Sequence, residues 1–324
     1  MMPFRAIVIF ATYILFALTL VGRSISIIFQ QKAKNKVTPE QSKGFKIVAF
    51  CLLAAASIAS TWYHMIRFFA QSYHEWAMKQ VAVNVIDLSL DRWLSETLLF
   101  KQAYQKVTST APAYWWSHQV FSFAALWTAF LGIEGSRRGI PDLWIFVILG
   151  QLVAVSFAAN LSILAILFSP IKGRSKEKPP LSDIPPRLSL TAKLVAILTA
   201  GLPALIPIYQ DNITVWWIAI LVPHAFCFVP VIVQCIPPRL RQTSGLRSLI
   251  DPGNAKRLYQ TITIVLLAQL TWASVLVHLE GDTPLSVIMA FSSHPAISSV
   301  GWDVVHCWFS LALLSMDHFE ITAV

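Results

Sequence analysis

The chain has 324 residues and a formal net charge of +9, yet only 13% of its residues are charged and 56% are hydrophobic. Because a soluble domain carries roughly 25% charged residues, this composition excludes an ordinary soluble protein and predicts a polytopic membrane protein. The basic residues lie in short loops beside apolar runs, which is the positive-inside pattern of membrane proteins rather than a nucleic-acid-binding patch.

Eight apolar segments each approach the ~20 residues that a membrane-spanning helix needs. In chain order they are Ile7–Phe29, Ile47–Phe69, Trp115–Ile133, Leu143–Phe168, Ala192–Tyr209, Ile213–Ile236, Thr261–His278 and Gly301–Met316. The first lacks a signal-peptide cleavage pattern and is interpreted as a retained span. Because we find no internal repeat and no polar domain between the segments, we predict a single all-α transmembrane helical bundle over residues 1–324.

The charges of the loops predict a further crossing. Loops 30–46, 169–190 and 237–257 are rich in Lys and Arg, so all three are expected on the cytoplasmic side. Only three apolar segments separate the first basic loop from the second, and a fourth crossing is needed to return the chain to that side. Val81–Phe100 is the free segment of suitable length. We therefore predict eight to nine spans, in the endoplasmic reticulum membrane. The alternative is that Val81–Phe100 lies flat on the membrane as an amphipathic helix.

Val81–Phe100 contains four charged residues, and ionisable groups inside a membrane indicate a functional site by default. On a helical wheel Asp87 and Asp91 share one stripe, whereas Arg92 and Glu96 form an i,i+4 pair. Two carboxylates one turn apart in a low dielectric do not both ionise easily, so one is expected to keep its proton and act as a general acid. The alternative is a hydrogen-bonded pair that only fixes helix packing.

A second acidic group opens the last apolar segment. Asp303 and His306 are three residues apart, and Trp302 lies four residues before His306, so all three are expected to face one cavity. The alternatives are that Trp302 anchors the chain at the membrane interface and that Asp303 neutralises a helix N-terminus. Aromatic faces stabilise cations. The further candidates for the cavity wall are Tyr63, His64 and Trp93.

Sequence motifs for cofactors and metals are lacking. There is no P-loop, dinucleotide-binding glycine pattern, zinc-protease motif or haem motif, and no aspartate-rich pair of the kind that binds Mg²⁺ and a diphosphate. The four cysteines fall within apolar runs and show no metal-ligand spacing. We therefore expect no metal and no redox cofactor, and a prenyl substrate would react by protonation rather than by loss of diphosphate.

Three short stretches resemble a known family. Residues 93–104 (WLSETLLFKQAY), 114–119 (YWWSHQ) and 299–303 (SVGWD) are similar to the fungal integral-membrane terpene cyclases of ascochlorin- and ascofuranone-type meroterpenoid biosynthesis. The resemblance implies a membrane-bound isomerase- or lyase-type cyclase that acts on an epoxidised farnesylated phenol. A carboxylic acid would open the epoxide, and aromatic walls would guide the resulting cation.

The sequence and the resemblance together predict the roles of the candidate residues. Asp91 or Asp87 would be the general acid, Glu96 or Asp303 a second acid or base, and Arg92 would orient an oxygen of the substrate. Trp302, His306, Tyr63, His64 and Trp93 would line the site. The expected partners are an apolar prenylated small molecule and the lipid bilayer, without nucleic acid. Competing interpretations are a proton-coupled transporter, a lipid-binding membrane protein or a structural membrane subunit.

Overall fold

A computed structural model describes residues 5–35, 41–82, 87–169, 190–209, 212–243 and 254–315. All regular structure in these ranges is helical. The helices are α1 Arg5–Asn35, α2 Gln41–Ala82, α3 Leu90–Glu96, α4 Leu99–Val107, α5 Ala111–Arg138, α6 Trp144–Leu152, α7 Val155–Leu167, α8 Leu190–Gly201, α9 Ile213–Phe226, α10 Val229–Ile232, α11 Pro238–Thr243, α12 Ala255–Leu279, α13 Pro284–Ser293 and α14 Pro295–Ser315, with short 3₁₀ turns at Leu202–Leu205 and Val233–Cys235.

Five helical stretches of the described chain are long and apolar enough to cross a membrane. They are Arg5–Lys34, Gly44–Ala82, Ile213–Ile232, Ala255–Leu279 and Pro295–Ser315. The predictions of an all-helical chain and of a membrane protein are confirmed at this level. The predicted count of eight to nine spans is not reproduced.

Helix α5 is the central helix of the bundle, and its two ends define the two ends of the molecule. The backbone N–H of Ala111, in its first turn, donates to Glu280 at the end of α12. In its last turn Arg138 donates to the carbonyl oxygen of Ser169, beyond the end of α7. We call the end of the bundle that holds Arg138 the basic end. The opposite end, where Trp76, Trp93 and Trp116 pack together, is called the aromatic end.

The α6–α7 unit enters and leaves the bundle at the basic end. Asp142, just before α6, pairs with Arg23 of α1 at 3.6 Å, and the Ser169 hydroxyl donates to Gln31 of α1 at 3.1 Å. Between these points the chain turns back on itself, since a Cβ atom added at Gly150 would lie 3.5 Å from the Cβ of Ala158. The two helices therefore form a re-entrant hairpin rather than one span.

The tip of this hairpin lies deep in the bundle. From Val155 to Ser169 the chain rises about 21 Å at 1.5 Å per residue, roughly two thirds of a ~30 Å hydrocarbon layer. At the tip, the Tyr13 hydroxyl of α1 donates to the carbonyl oxygen of Leu152 at 2.6 Å. Ala154 has an extended backbone (φ −169°, ψ 136°) and offers no side-chain cap to α7. The backbone N–H groups at the start of α7 thus need a partner from elsewhere.

This hairpin explains why the prediction of a ninth span over Val81–Phe100 is wrong. The sequence predicts that the apolar segment Leu143–Phe168 crosses the membrane, but the chain there returns to the end of the bundle at which it entered, so the basic loops require no extra span. Of Val81–Phe100, residues 83–86 lie outside the described ranges. The rest contains the seven-residue α3 and a non-helical step at Thr97 and Leu98. An α3 of that length rises only about 10 Å, too short to cross a bilayer.

Helix α4, which begins at the end of this segment and continues beyond it, is amphipathic. Its apolar side chains Phe100, Ala103 and Val107 face an internal cavity. On the other side Gln102, Gln105 and Lys106 are exposed. Such a two-faced helix covers the bundle at the aromatic end without crossing it.

Candidate functional site

A cavity lies beneath α4, around the tip of the re-entrant hairpin. It has a volume of about 200 Å³. Residues 150–155 of the hairpin tip form one wall, and α1, α2, α4, α5, α9 and α14 contribute the others. Four aromatic rings line it, namely Tyr13, Phe100, Tyr104 and Phe121. The cavity is therefore a mostly apolar chamber at the depth where the hairpin turns.

Asp303 is the only carboxylate among the described residues that line this cavity, and no Lys or Arg lines it. One carboxylate oxygen of Asp303 accepts the backbone N–H of Ser156 at 2.8 Å, and the other accepts that of Val155 at 3.0 Å. These are the N–H groups that Ala154 leaves uncapped. Asp303 thus supplies from α14 the negative charge that the N-terminus of α7 attracts.

The hydrogen bonds of Asp303 leave it able to take part in proton transfer. Each carboxylate oxygen has two lone-pair directions, and a single backbone N–H occupies one of them on each oxygen. Two N–H donors favour the ionised carboxylate, whereas the apolar surroundings favour the neutral acid. A carboxyl group held between these opposing influences, with a fixed orientation, suits a general acid.

A tyrosine–histidine pair forms a second polar group in the cavity wall. His224 Nδ1 lies 2.6 Å from the carbonyl oxygen of Ile220, and its Nε2 lies 3.2 Å from the hydroxyl of Tyr104. Because a carbonyl oxygen only accepts, Nδ1 carries the hydrogen, and neutral Nε2 accepts the Tyr104 O–H. Burial raises the pKa of the Tyr104 phenol to about 12, so this hydroxyl keeps its proton at neutral pH.

The sequence did not single out this pair as a site. Tyr104 and His224 are 120 positions apart, and His224 stands one residue after Pro223 inside α9. The only available signal was an unusual histidine in an apolar span, which more often indicates a buried structural residue. The structure makes it part of a cavity because the ring of Tyr104, on α4, packs 6.1 Å from that of His224, on α9.

The acids predicted from Val81–Phe100 do not reach the cavity. Asp87 precedes α3, is exposed, and accepts the backbone N–H of Ser89 at 3.0 Å. Asp91 lies in the first turn of α3 and accepts the N–H of Ile7 at 3.5 Å. They do not share the stripe of one helix, because Asp87 is not helical. Their assignment as an acid pair in a dry pocket is therefore corrected: Asp87 is exposed, Asp91 is half-buried beside the start of α1, and neither lines the cavity.

Arg92 and Glu96 form the predicted i,i+4 pair, with Arg92 Nε 2.6 Å from Glu96 Oε1. The other oxygen of Glu96 accepts from Trp76 Nε1 at 2.9 Å and from Gln80 at 3.1 Å. These hydrogen bonds, first that from Arg92 and then that from Trp76, hold the pKa of Glu96 below its usual value. The pair fastens α3 to the end of α2, and neither residue lines the cavity, so a role at the reacting atoms is not supported for them.

The remaining candidates are also distributed around the cavity rather than in it. Trp93 is buried against Tyr73, with ring centroids 5.7 Å apart. Tyr63 is 59% exposed and its ring lies 5.0 Å from that of His64. The ring of Trp302 lies 5.9 Å from that of His306, so these neighbours of Asp303 do contact each other. None of the five lines the cavity, and its aromatic wall consists of Tyr and Phe instead of Trp.

His306 belongs to a buried polar seam between α14 and its neighbours. The Ser60 hydroxyl lies 2.9 Å from His306 Nε2 and donates its own hydrogen to the carbonyl oxygen of Ala56. The other ring nitrogen of His306, Nδ1, is buried and has no hydrogen-bond partner in the described chain. One turn further, Ser310 donates to Asn160 Oδ1 at 2.8 Å. His306 thus joins α14 to α2 and does not line the cavity.

No group of three or more His, Cys, Asp or Glu side chains that could hold a metal ion is found within the described ranges. Comparison with protein-family models, with curated proteins and with solved structures returned no match for this chain. The site must therefore be judged from its own chemistry.

Proposed function

We propose that the protein is a membrane-bound terpene cyclase that starts the cyclisation of an epoxidised farnesylated phenol by protonation. The observation that carries the proposal is the carboxyl group of Asp303, the one carboxylate that the described residues contribute to an aromatic-lined cavity without Lys or Arg. Protonation-initiated cyclisation needs one acid, a wall that tolerates positive charge and the exclusion of water. The proposed general acid is thus Asp303 rather than Asp91 or Asp87.

In the proposed reaction Asp303 gives its proton to the epoxide oxygen, and the bond between that oxygen and the more substituted carbon breaks. The alkene electron pairs of the prenyl chain then close the ring onto the carbocation. The last cation loses a proton to the oxygen of Tyr104, whose own proton passes to His224 Nε2, 3.2 Å away. Because one proton is taken up and one is released, the overall change is an isomerisation.

The cavity volume suggests how such a substrate would bind. Typical small-molecule sites measure ~300–1,000 Å³, whereas this cavity measures about 200 Å³. We therefore propose that the epoxide end of the prenyl chain occupies the cavity and that the phenol ring lies toward its rim. The expected location is the endoplasmic reticulum membrane, with the basic end toward the cytoplasm.

A proton-coupled transporter is the second candidate, and the re-entrant hairpin favours it. Transporters often bind their cargo where a broken helix presents its N-terminus near the middle of the bilayer, as α7 does here. In that case Asp303 would bind and release a proton during transport rather than during catalysis.

The two functions are separated by reconstituting the purified protein in vesicles and adding the epoxidised farnesyl–phenol. A cyclase converts it to a cyclic isomer of identical mass without a proton gradient. A transporter accumulates unchanged compound only when a gradient is imposed. Recovery of unchanged substrate under both conditions would reject the cyclase.

A further inference from the structure

The wall of the cavity is interrupted at one side chain. Among the described residues that line it, Phe100 alone is exposed, with 56% of its surface accessible. All other lining residues are buried or half-buried. The ring of Phe100 therefore touches both the interior of the cavity and the outside of the bundle.

Tyr13 of α1 forms the other side of this opening. Its ring meets that of Phe100 edge-on, with centroids 5.5 Å apart. The Tyr13 hydroxyl donates to the carbonyl oxygen of Leu152, so this ring is held against the tip of the re-entrant hairpin. Phe100 has no comparable tether because its ring carries no polar atom. The opening between α1 and α4 is thus closed by one fixed ring and one ring free of hydrogen bonds.

The surface outside this opening is apolar. On α1, Ile9 is 61% exposed and Phe16 is 46% exposed, and Leu98, just before α4, is 65% exposed. Helix α1 is long and apolar enough to span a membrane, and only 11% of its most apolar window is buried inside the protein. A surface of this kind faces lipid rather than water.

We propose that Tyr13 and Phe100 form a lateral portal through which an apolar ligand dissolved in the bilayer enters the cavity. The inference rests on the proposed function in so far as that function needs an apolar, membrane-dissolved substrate. It adds the route of that substrate: the ligand comes from the lipid phase past α4 and not from the aqueous phase. Such a route lets a prenyl chain reach Asp303 without passing through water.

Cys227 offers a reporter that does not depend on any enzymatic activity. This thiol is buried and lines the cavity. The protein in lipid vesicles is treated with N-cyclohexylmaleimide, which partitions into lipid, or with a sulfonated maleimide, which does not. Modification of the peptide that contains Cys227 is then followed by mass spectrometry. The portal predicts that only the lipid-soluble reagent reaches Cys227 at a measurable rate.

Variants of Phe100 and Tyr13 should change the rate of Cys227 modification in predictable directions. Phe100→Ala should raise the rate of Cys227 modification by the lipid-soluble reagent, and Phe100→Trp should lower it. Tyr13→Phe keeps the ring but removes the hydrogen bond to Leu152, and an increase of about fivefold is expected, which corresponds to the loss of about 1 kcal/mol. Leu98→Ala is the matched control, since Leu98 is exposed beside the opening without lining the cavity, and should leave the rate unchanged.

Equal modification by the two reagents, or rates indifferent to both substitutions of Phe100, would overturn the portal. Thermal unfolding of each variant shows whether it is folded, so a general loosening of the bundle is recognised by a parallel rise in modification of buried Cys307. If the labelling responds as expected while no cyclic product forms, the portal stands and the proposed cyclase does not.

Discussion

Asp303 of α14 and Ser156 of α7 lie 147 residues apart in the chain, yet a carboxylate oxygen of Asp303 accepts the backbone N–H of Ser156 at 2.8 Å. This contact joins the re-entrant hairpin to a long apolar helix and places the acid in the cavity. It has both a structural and a proposed chemical role, and the two can be measured separately.

Replacing Asp303 should destabilise the hairpin in proportion to the hydrogen bonds that are lost. Asp303→Leu leaves two buried N–H groups without partners, and a loss of about 3 kcal/mol in the free energy of unfolding is expected. Asp303→Asn keeps one acceptor and should cost less. Unfolding in detergent micelles measures both, with Asp142→Asn as the control because Asp142 makes only an exposed pair with Arg23. Equal stability of Asp303→Leu and the wild type would contradict the capping role.

The approach of α5 to α10 depends on Gly132. A Cβ atom at this position would lie 2.7 Å from the backbone oxygen of Pro230, which cannot move without displacing α10. Gly132→Ala should therefore destabilise the protein by about 1–3 kcal/mol through overpacking. Gly22→Ala is the matched change, because nothing lies within 4 Å of a Cβ atom there, and it should stabilise α1 by up to ~1 kcal/mol. Thermal unfolding distinguishes the two, and a Gly132→Ala variant as stable as Gly22→Ala would mean that the helices are not this close.

The re-entrant hairpin makes a prediction about sidedness. Single cysteines introduced by Lys34→Cys and Pro141→Cys should react with an impermeant maleimide from the same side of sealed microsomes, and Lys79→Cys from the opposite side. All three positions are exposed. The nine-span arrangement expected from the sequence groups Pro141 with Lys79 instead. Labelling of Pro141→Cys from the same side as Lys79→Cys would show that Val81–Phe100 spans the membrane and would contradict the re-entrant hairpin.

His294 should make the aromatic end sensitive to mild acid. Its Nδ1 accepts the backbone N–H of Ala296 at 3.2 Å, and burial, followed by the charge of Lys106, lowers the pKa of the imidazole below its usual value. The imidazole of His294 is therefore protonated near pH 6.5 in the unfolded chain but only at a lower pH in the folded protein. This contribution to stability is complete above pH 6.5 and is lost as the pH falls through the folded pKa. Melting temperatures of the wild type and His294→Gln between pH 7.5 and pH 5 should converge at the acidic limit, and parallel curves would contradict the assignment.

The helical membrane class and the side-chain pairs one turn apart could be predicted from the sequence, because the first follows from the length of the apolar segments and the second from helical spacing. Arg92 and Glu96 pair at 2.6 Å as their i,i+4 spacing predicts, and Trp302 contacts His306 in the same way. The sequence does not show whether Leu143–Phe168 crosses the membrane or turns back, since an apolar segment of that length fits either a span or a hairpin. Its turn at Ala154 has no Gly or Pro to mark it, and its cap comes from Asp303, far along the chain.

The prediction that Leu143–Phe168 is a span also leads to the prediction of the site at Asp87 and Asp91. If Leu143–Phe168 is a span, the basic loops require Val81–Phe100 to cross the membrane as well, and the charges of that segment become intramembrane groups. In the structure Asp87 accepts from the turn before α3 and Asp91 from the first turn of α1, and neither lines the cavity. The spacing of Asp303 and His306 predicts that both face one cavity, and Asp303 is the predicted acid that the fold brings into the cavity, whereas His306 does not line it.

The most direct test of the account compares two sets of variants in microsomes supplied with the epoxidised farnesyl–phenol. Asp303→Asn should abolish formation of the cyclic product, with a loss of at least ~10²-fold, as expected for the removal of a general acid. The double variant Asp87→Asn with Asp91→Asn should retain turnover close to that of the wild type. Full activity of Asp303→Asn, or loss of activity only in the Asp87 and Asp91 double variant, would contradict the assignment of Asp303 as the acid.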